Sequence, residues 1–324
     1  MARSNPNDVN GNQIRNKPFG SVGSIVDASY ESGGDMVHFD DRLKFTLSEL
    51  LTASAMCLYE NPYRKTYVAY LADCSQVVVK RILTHLRQKD LVTAVSALGK
   101  IRHMNVLDLK AYYWGTGETL CVFKFLPNGS VASLLRSLQY QDASITAFDW
   151  PLRIKIIIGI TRGVYYLHTK EKIVHGDLKL SNIMLDENYN PMIANAGLAQ
   201  LMPATPHGFQ NNYAPEFSGS VTATTETDIY SLGIIMLELL TGQSTYRRIN
   251  PVNLPRWVKS VPKERWFSEV FEVKLIQEKS SNHNMLVKIM TLALQCVDYN
   301  PTARPTVKDV LWALEQMVAK YHHK

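Results

Sequence analysis

The sequence feature that most constrains the fold is the segment 173–186, which reads IVHGDLKLSNIMLD. It places an acid, a base and an amide in one short loop, at Asp177, Lys179 and Asn182. Apolar pairs precede and follow these residues, so we predict a polar turn held between two buried anchors. Phosphoryl transfer uses such a set, because a carboxylate accepts the hydroxyl proton, a lysine neutralises the moving phosphoryl group and an amide oxygen holds a metal ion. A polar turn with no chemical role is the alternative interpretation.

Length and charge limit the classes of protein that need to be considered. The chain has 324 residues, 46% of them hydrophobic, which suffices for one large globular unit or two smaller lobes. Its net charge is +6 without a long run of Lys or Arg, so no nucleic-acid surface is expected. Its four cysteines form no C-x-x-C pair and are predicted to be reduced. No apolar run reaches the roughly 18 residues of a membrane helix, so membrane contact is expected only through a longer receptor or a partner.

Apolar patterning divides the chain into a strand-rich part and a helix-rich part. Residues 1–34 are rich in Asn, Ser and Gly and are predicted to be a disordered leader or juxtamembrane linker. Strands are predicted at residues 63–71, 76–82, 107–113 and 119–125. Helices are predicted at residues 45–51, 90–101, 227–241, 285–297 and 306–320, with another after the capping residue Asp149.

This order of parts resembles the protein kinase fold over about residues 45–320. The loop at 175–182 resembles the kinase catalytic loop H-R-D-x-K-x-x-N, with Gly176 in place of the arginine. Other segments resemble the plant receptor-like kinase group, particularly the intracellular part of leucine-rich-repeat receptors: GKIRHMNVL at 99–107, FLPNGSVASLL at 125–135, GVYYLH at 163–168, TDIYSLGIIMLELLTG at 227–242 and CVDYNPTARPT at 296–306. The resemblance implies an α+β, two-lobed protein kinase-like fold. A small antiparallel β lobe is expected at 35–126 and a large helical lobe at 127–324.

The expected nucleotide pocket departs from the family pattern at its phosphate end. Family members cover the phosphates with a glycine-rich loop, because only bare backbone approaches them closely. Here Tyr59, Asn61 and Arg64 fill the three glycine positions. The alternative is a variant loop that still covers ATP, in which Arg64 contacts phosphate. The resemblance makes Lys80 the lysine that contacts the α and β phosphates. Ala94 stands where its helix glutamate partner is expected, and a purely structural Lys80 is the alternative.

The adenine end of the expected pocket is also altered. The resemblance places Val78, Phe123 and Phe125 around it, and Val78 stands where the family commonly has alanine. The extra methyl groups narrow the adenine slot. Together with Lys80 and Arg64, these residues are predicted to form a vestigial nucleotide pocket.

The expected metal site is degraded, whereas the expected scaffold residues are present. Asn195 replaces the magnesium-binding Asp of the D-F-G motif, and Asn182 holds the other metal position. Because magnesium prefers carboxylates, we predict no metal site. By resemblance, Glu216 and Arg304 match a buried structural ion pair. Asp228 matches the acid that orients the catalytic loop from beneath.

The glycines, the helix glutamate and the metal-binding aspartate are replaced, whereas the scaffold residues are present. This pattern favours a pseudokinase. We predict a catalytically impaired kinase-fold module that acts by protein–protein interaction in receptor signalling, without a cofactor. One alternative is a weak or unconventional ATP-dependent protein serine/threonine kinase that uses Asp177, Lys179 and Lys80 with ATP and magnesium. Another is a nucleotide sensor that binds ATP without metal and without turnover. The expected partners are other receptor kinases or signalling proteins, and the expected location is the cytoplasm or the inner face of the plasma membrane.

Overall fold

A computed structural model describes most of the chain. It covers residues 22–23, 25, 36–40, 45–84, 86–115, 117–139, 148–201, 214–216, 222–245, 253–277 and 283–322. None of the helices within these ranges combines the length and the apolar character that a bilayer span requires.

The small lobe is built on an antiparallel sheet of seven strands in the order β1-β3-β4-β5-β7-β6-β2. The strands are β1 Val22–Gly23, β2 Val37–His38, β3 Ser54–Asn61, β4 Arg64–Tyr70, β5 Gln76–Leu83, β6 Leu109–Gly115 and β7 Glu118–Lys124. The four predicted strands are confirmed as β4 to β7, with ends shifted by up to two residues. Side chains alternate on β5, so Val77 and Val79 face the core under α1 while Val78 and Lys80 face the cleft between the lobes.

The predicted disordered leader or juxtamembrane linker over 1–34 lies mostly outside the described residues, and within it only residues 22, 23 and 25 are described. Strand β1 pairs with β3, and Ile25 is 1% exposed in the core of the small lobe. Strand β2, just after the leader, pairs with β6 at the opposite edge of the sheet. Unpaired edge strands favour pairing with other chains. Here the N-terminal segment supplies short strands that cover both edges.

Two helices pack on the sheet. Helix α1 (Leu47–Thr52) begins with the predicted capping box, in which Thr46 accepts from the backbone of Glu49 and the Glu49 carboxylate accepts from the backbone of Thr46. Helix α2 (Gln88–Leu98) was predicted two to three residues further along the chain. It buries Leu91, Val95 and Leu98 against the cleft-side core, with Ala94 packed beside them.

The large lobe is helical. Its elements are α3 Val131–Gln139, α4 Trp150–Tyr166, β8 Ile183–Leu185, β9 Pro191–Ile193, α5 Thr225–Thr241, α6 Leu254–Ser260, α7 Trp266–Glu269, α8 Val273–Gln277, α9 His283–Cys296 and α10 Val307–His322. The predicted cap of α4 by Asp149 is confirmed, since its side chain accepts from the backbone of Leu152. Helix α5 is buried on most sides and ends at Gly242 in the left-handed conformation, as predicted.

Candidate active site

The residues of the predicted catalytic loop lie together at the cleft. Lys179 Nζ lies 2.6 Å from Asp177 Oδ1. Asn182 donates from Nδ2 to the Asp177 backbone oxygen at 2.7 Å and to Asp177 Oδ2 at 3.0 Å. Both carboxylate oxygens of Asp177 therefore already have a partner within the loop.

Asp228 lies beneath this loop, near the start of α5, and is 1% exposed. Its carboxylate accepts from the backbone nitrogens of His175 at 2.7 Å and Gly176 at 2.9 Å. His168 Nε2 lies 2.9 Å from the same carboxylate. Gly176 has φ +74, a conformation that glycine adopts at little cost. These contacts fix the backbone that carries Asp177.

Lys80 has no acidic partner on α2. At the expected glutamate position, Ala94 packs into the apolar cluster. The lysine is 7% exposed, donates instead to Asn195 Oδ1, and holds its Nζ 4.8 Å from the ring centre of Phe123. Burial, together with a smaller effect from the nearby charge of Arg64, lowers the pKa of Lys80 to about 7. This lysine is therefore only partly protonated at neutral pH.

The residues at the metal positions do not fit magnesium. Asn195 donates from Nδ2 to Asn182 Oδ1 at 2.8 Å, so each amide already has a partner for both of its polar atoms. Magnesium prefers carboxylate oxygens and dehydrates reluctantly. The described residues include no group of three or more His, Cys, Asp or Glu side chains arranged to hold a metal ion.

The segment at the expected glycine-loop position is the tip of the β3–β4 hairpin. Asn61 pairs with Arg64 across the tip, and Asn61 Oδ1 accepts from the backbone nitrogens of Tyr63 at 3.0 Å and Arg64 at 2.7 Å. Pro62 has no N–H to donate. The Arg64 guanidinium lies over the Tyr59 ring, 5.2 Å from its centre. The backbone donors of the tip are thus used within the hairpin and are not presented to the cleft.

The residues predicted to surround adenine lie on β5, on β7 and just after β7. Val78 stands opposite Val68 on β4 and Phe123 on β7, half-buried on the cleft side. Phe123 is 3% exposed, and Phe125 is half-buried just after β7 ends. Next to the metal position, Ala196 replaces a larger aromatic residue of the family and borders a small apolar cavity. That cavity is lined by Leu98, Ile101, Leu107, Leu109, Phe123, Ala196 and Leu198.

Glu216 and Arg304 form an ion pair away from the cleft. Two bonds join the guanidinium to the carboxylate, at 2.6 and 2.8 Å. The Arg304 side chain is 0% exposed, and that of Glu216 is 27% exposed.

Sequence reasoning missed the bond that holds this site together. It treated Asn195 only as a lost metal ligand, whereas the structure makes Asn195 the hydrogen-bond partner of Lys80. A retained lysine beside a lost glutamate was the available signal, because a buried cation requires another acceptor. The pairing of residues 115 positions apart could be identified only from the fold.

Comparison with known proteins identifies the fold. The family model described as protein kinase domain matches residues 65–313. The chain is 40% identical over 305 residues to the probable leucine-rich repeat receptor-like protein kinase IMK3 of Arabidopsis thaliana, covering 91% of this chain and 38% of that protein. It is 36% identical over 282 residues to a probable inactive receptor kinase of the same plant, covering 84% of this chain and 44% of that protein. The chain thus spans less than half the length of these two curated relatives.

Solved structures show the same two-lobed architecture. The pseudokinase domain of BIR2, an immune regulator of the RLK/Pelle family, aligns with TM-score 0.74 and 25% identity, over 94% of this chain and 91% of that one. The kinase domain of maize SIRK1 bound to AMP-PNP aligns with TM-score 0.77 and 26% identity, over 88% of this chain and 100% of that one. The predicted fold class is confirmed. The chain belongs to the protein kinase family, within the leucine-rich-repeat receptor-like kinase group of plants.

Proposed function

We propose that this chain is a pseudokinase module, which acts by binding other signalling proteins and not by transferring phosphate. One observation carries the proposal: Asn195 bonds Lys80 and Asn182 at the position where a kinase needs a carboxylate for magnesium. Catalysis of phosphoryl transfer is almost entirely positioning and electrostatic stabilisation, so loss of the metal charge removes its main source. One sequence relative is named a probable inactive receptor kinase, and one structural relative is the pseudokinase domain of BIR2. Both names support the proposal that the chain does not transfer phosphate.

The retained loop residues do not compensate for these losses. Asp177 can still accept a proton, but its carboxylate bonds Lys179 and Asn182. Lys80 is buried and only partly protonated at neutral pH, since burial lowers its pKa to about 7. These features support a site that is occupied by its own side chains, with no cofactor.

The partners we propose are other receptor kinases or signalling proteins, bound on the outer surface of an intact kinase scaffold. The sequence similarity to receptor kinases supports this class of partner. We propose a location in the cytoplasm or at the inner face of the plasma membrane. Membrane contact would come through a longer receptor or through a partner.

A phosphotransfer assay tests the proposal directly. The purified domain is incubated with magnesium and labelled ATP, alone and with a generic protein substrate. We expect no transfer above background, because no carboxylate from position 195 holds the metal. Transfer by the wild type that disappears in Asp177→Ala would overturn the pseudokinase proposal.

Nucleotide binding provides a second test. A ligand that binds only the folded state stabilises it by roughly 2.7 kcal/mol at about 100 times its dissociation constant. We expect no thermal shift with millimolar Mg-ATP, and a partial gain in Val78→Ala, which widens the adenine slot. A magnesium-dependent shift in the wild type would favour the second candidate, a weak protein serine/threonine kinase. The intact contacts among Asp177, Lys179 and Asn182 are the observation that supports that candidate.

A further inference from the structure

A continuous hydrogen-bond chain crosses the cleft between the lobes. Lys80, on strand β5 of the small lobe, donates to Asn195 Oδ1. Asn195 Nδ2 then donates to Asn182 Oδ1 at 2.8 Å, and Asn182 Nδ2 donates to Asp177 Oδ2 at 3.0 Å. Lys80, Asn182 and Asn195 are each less than 8% exposed, so water competes little for these bonds.

The direction of this chain is fixed at both ends. A protonated lysine only donates, so while Lys80 carries its proton Asn195 turns its oxygen towards Lys80 and its N–H groups towards Asn182. An ionised carboxylate only accepts, so Asn182 must turn its N–H groups towards Asp177 and its oxygen towards Asn195. Both amide orientations follow from these ends. Aspartate at 195 would place a second acceptor against Asn182 Oδ1 and break the chain.

The backbone holds Asn195 in place for this role. Its φ is +70, in the left-handed region that asparagine tolerates better than most residues. The backbone nitrogen of Ala194 donates to the backbone oxygen of Asn182 at 2.8 Å, and that of Leu198 donates to the backbone oxygen of Asn195 at 3.1 Å. Contacts within the large lobe therefore hold the backbone of Asn195 in place, independently of Lys80.

We propose that Lys80, Asn195 and Asn182 form an interlobe staple, in which the Asn195 amide takes the place of both the metal ion and the helix glutamate. The staple holds the two lobes in one arrangement without nucleotide. A surface that spans both lobes is then available to partners at all times. The staple rests on the proposed function, because binding of Mg-ATP would require the Lys80–Asn195 contact to open.

Native-state hydrogen exchange of the whole chain tests the staple. The reporters are the amides of α2 and of residues 194–198, which border the staple, and α5 is the internal reference. Asn195→Ala removes both bonds, whereas Asn195→Asp removes only the bond to Asn182 and keeps an acceptor for Lys80. We expect Asn195→Ala to exchange roughly tenfold faster at the reporters, as for loss of a hydrogen bond to a charged group, with α5 unchanged. Asn195→Asp should exchange more slowly than Asn195→Ala, because it keeps the bond to Lys80. Asn188→Ala, at an exposed turn, is the matched control and should exchange like the wild type.

A double variant shows whether the residues act as one unit. Lys80→Met should accelerate the same amides, and Lys80→Met with Asn195→Ala should exchange no faster than the faster single variant. Additive accelerations, or an Asn195→Ala variant that exchanges like Asn188→Ala, would overturn the staple. The phosphotransfer assay is a separate readout. Transfer by the wild type would overturn the proposed function, whereas unchanged exchange in Asn195→Ala would overturn the staple alone.

Discussion

Arg304 offers a sharp test of how far the kinase scaffold depends on one buried side chain. Its guanidinium bonds the Glu216 carboxylate twice and donates to the backbone oxygens of Glu226 and Asp298, both at 2.9 Å. It also lies 5.0 Å from the ring centre of Tyr230 on α5. The side chain therefore joins the segment at 214–216, the start of α5 and the turn before α10.

The expected cost of Arg304→Ala follows from these contacts. Removing one partner of a buried ion pair costs roughly 3–5 kcal/mol, because the other charge stays without compensation. Water reaches part of Glu216, whose side chain is 27% exposed, so the lower end applies. For a domain of this size each kcal/mol shifts the melting temperature by about 2–4 °C. We therefore expect a loss of about 3 kcal/mol and a melting temperature lower by about 6–12 °C.

Thermal and urea unfolding of the purified chain measure this loss. The matched control is Arg162→Ala, which removes an exposed pair in which Arg162 lies 2.8 Å from Glu315. Exposed pairs contribute roughly 0–1 kcal/mol, so the control should melt within about 4 °C of the wild type. If Arg304→Ala loses no more stability than Arg162→Ala, the ion pair with Glu216 does not support the scaffold and the reasoning is wrong.

Three further predictions concern the core. Burial raises the pKa of Glu238 to about 7, so ionisation of this side chain lowers the free energy of unfolding as pH rises from about 4.5 to 7. Relative to the wild type, Glu238→Gln should therefore gain about 3 kcal/mol in the free energy of unfolding across that window, as measured by urea unfolding. A Cβ at Gly233 would lie 2.7 Å from Cys296 Cβ and 2.9 Å from the Ala293 oxygen, so Gly233→Ala should cost roughly 1–3 kcal/mol in thermal unfolding as α5 and α9 separate. The Phe39 ring fills the space over Gly99, so Phe39→Ala should speed hydrogen exchange at the end of α2 without affecting α5.

Helix ends could be predicted from the sequence because their signals are local. Thr46 and Glu49 form a capping box from neighbouring residues, and Asp149 caps α4 within one turn. Gly242 ends α5 because glycine adopts the required left-handed backbone. None of these contacts depends on the rest of the fold.

Strand β3 was missed because its stabilisation is not local. Its burial pattern does not alternate cleanly, and the register shifts between Cys57 and Tyr59. A bulge breaks the period of two on which strand prediction depends. Strands β1 and β2 have two residues each and form only against the edges of an existing sheet. Their positions follow from tertiary contacts that no short window of sequence contains.

The substitutions at the site are consistent with one physical change. Once Ala94 replaces the helix glutamate, Lys80 is a buried cation that needs another acceptor. An aspartate at 195 would accept from Lys80 but could not also donate to Asn182, whereas asparagine both accepts and donates. Because burial lowers the pKa of Lys80 to about 7, a neutral acceptor suffices. The same amide that excludes magnesium therefore stabilises the lysine. Restoring only Asp at 195 should remove the bond to Asn182 and, without a glutamate at 94 to position Lys80, should leave the site inactive.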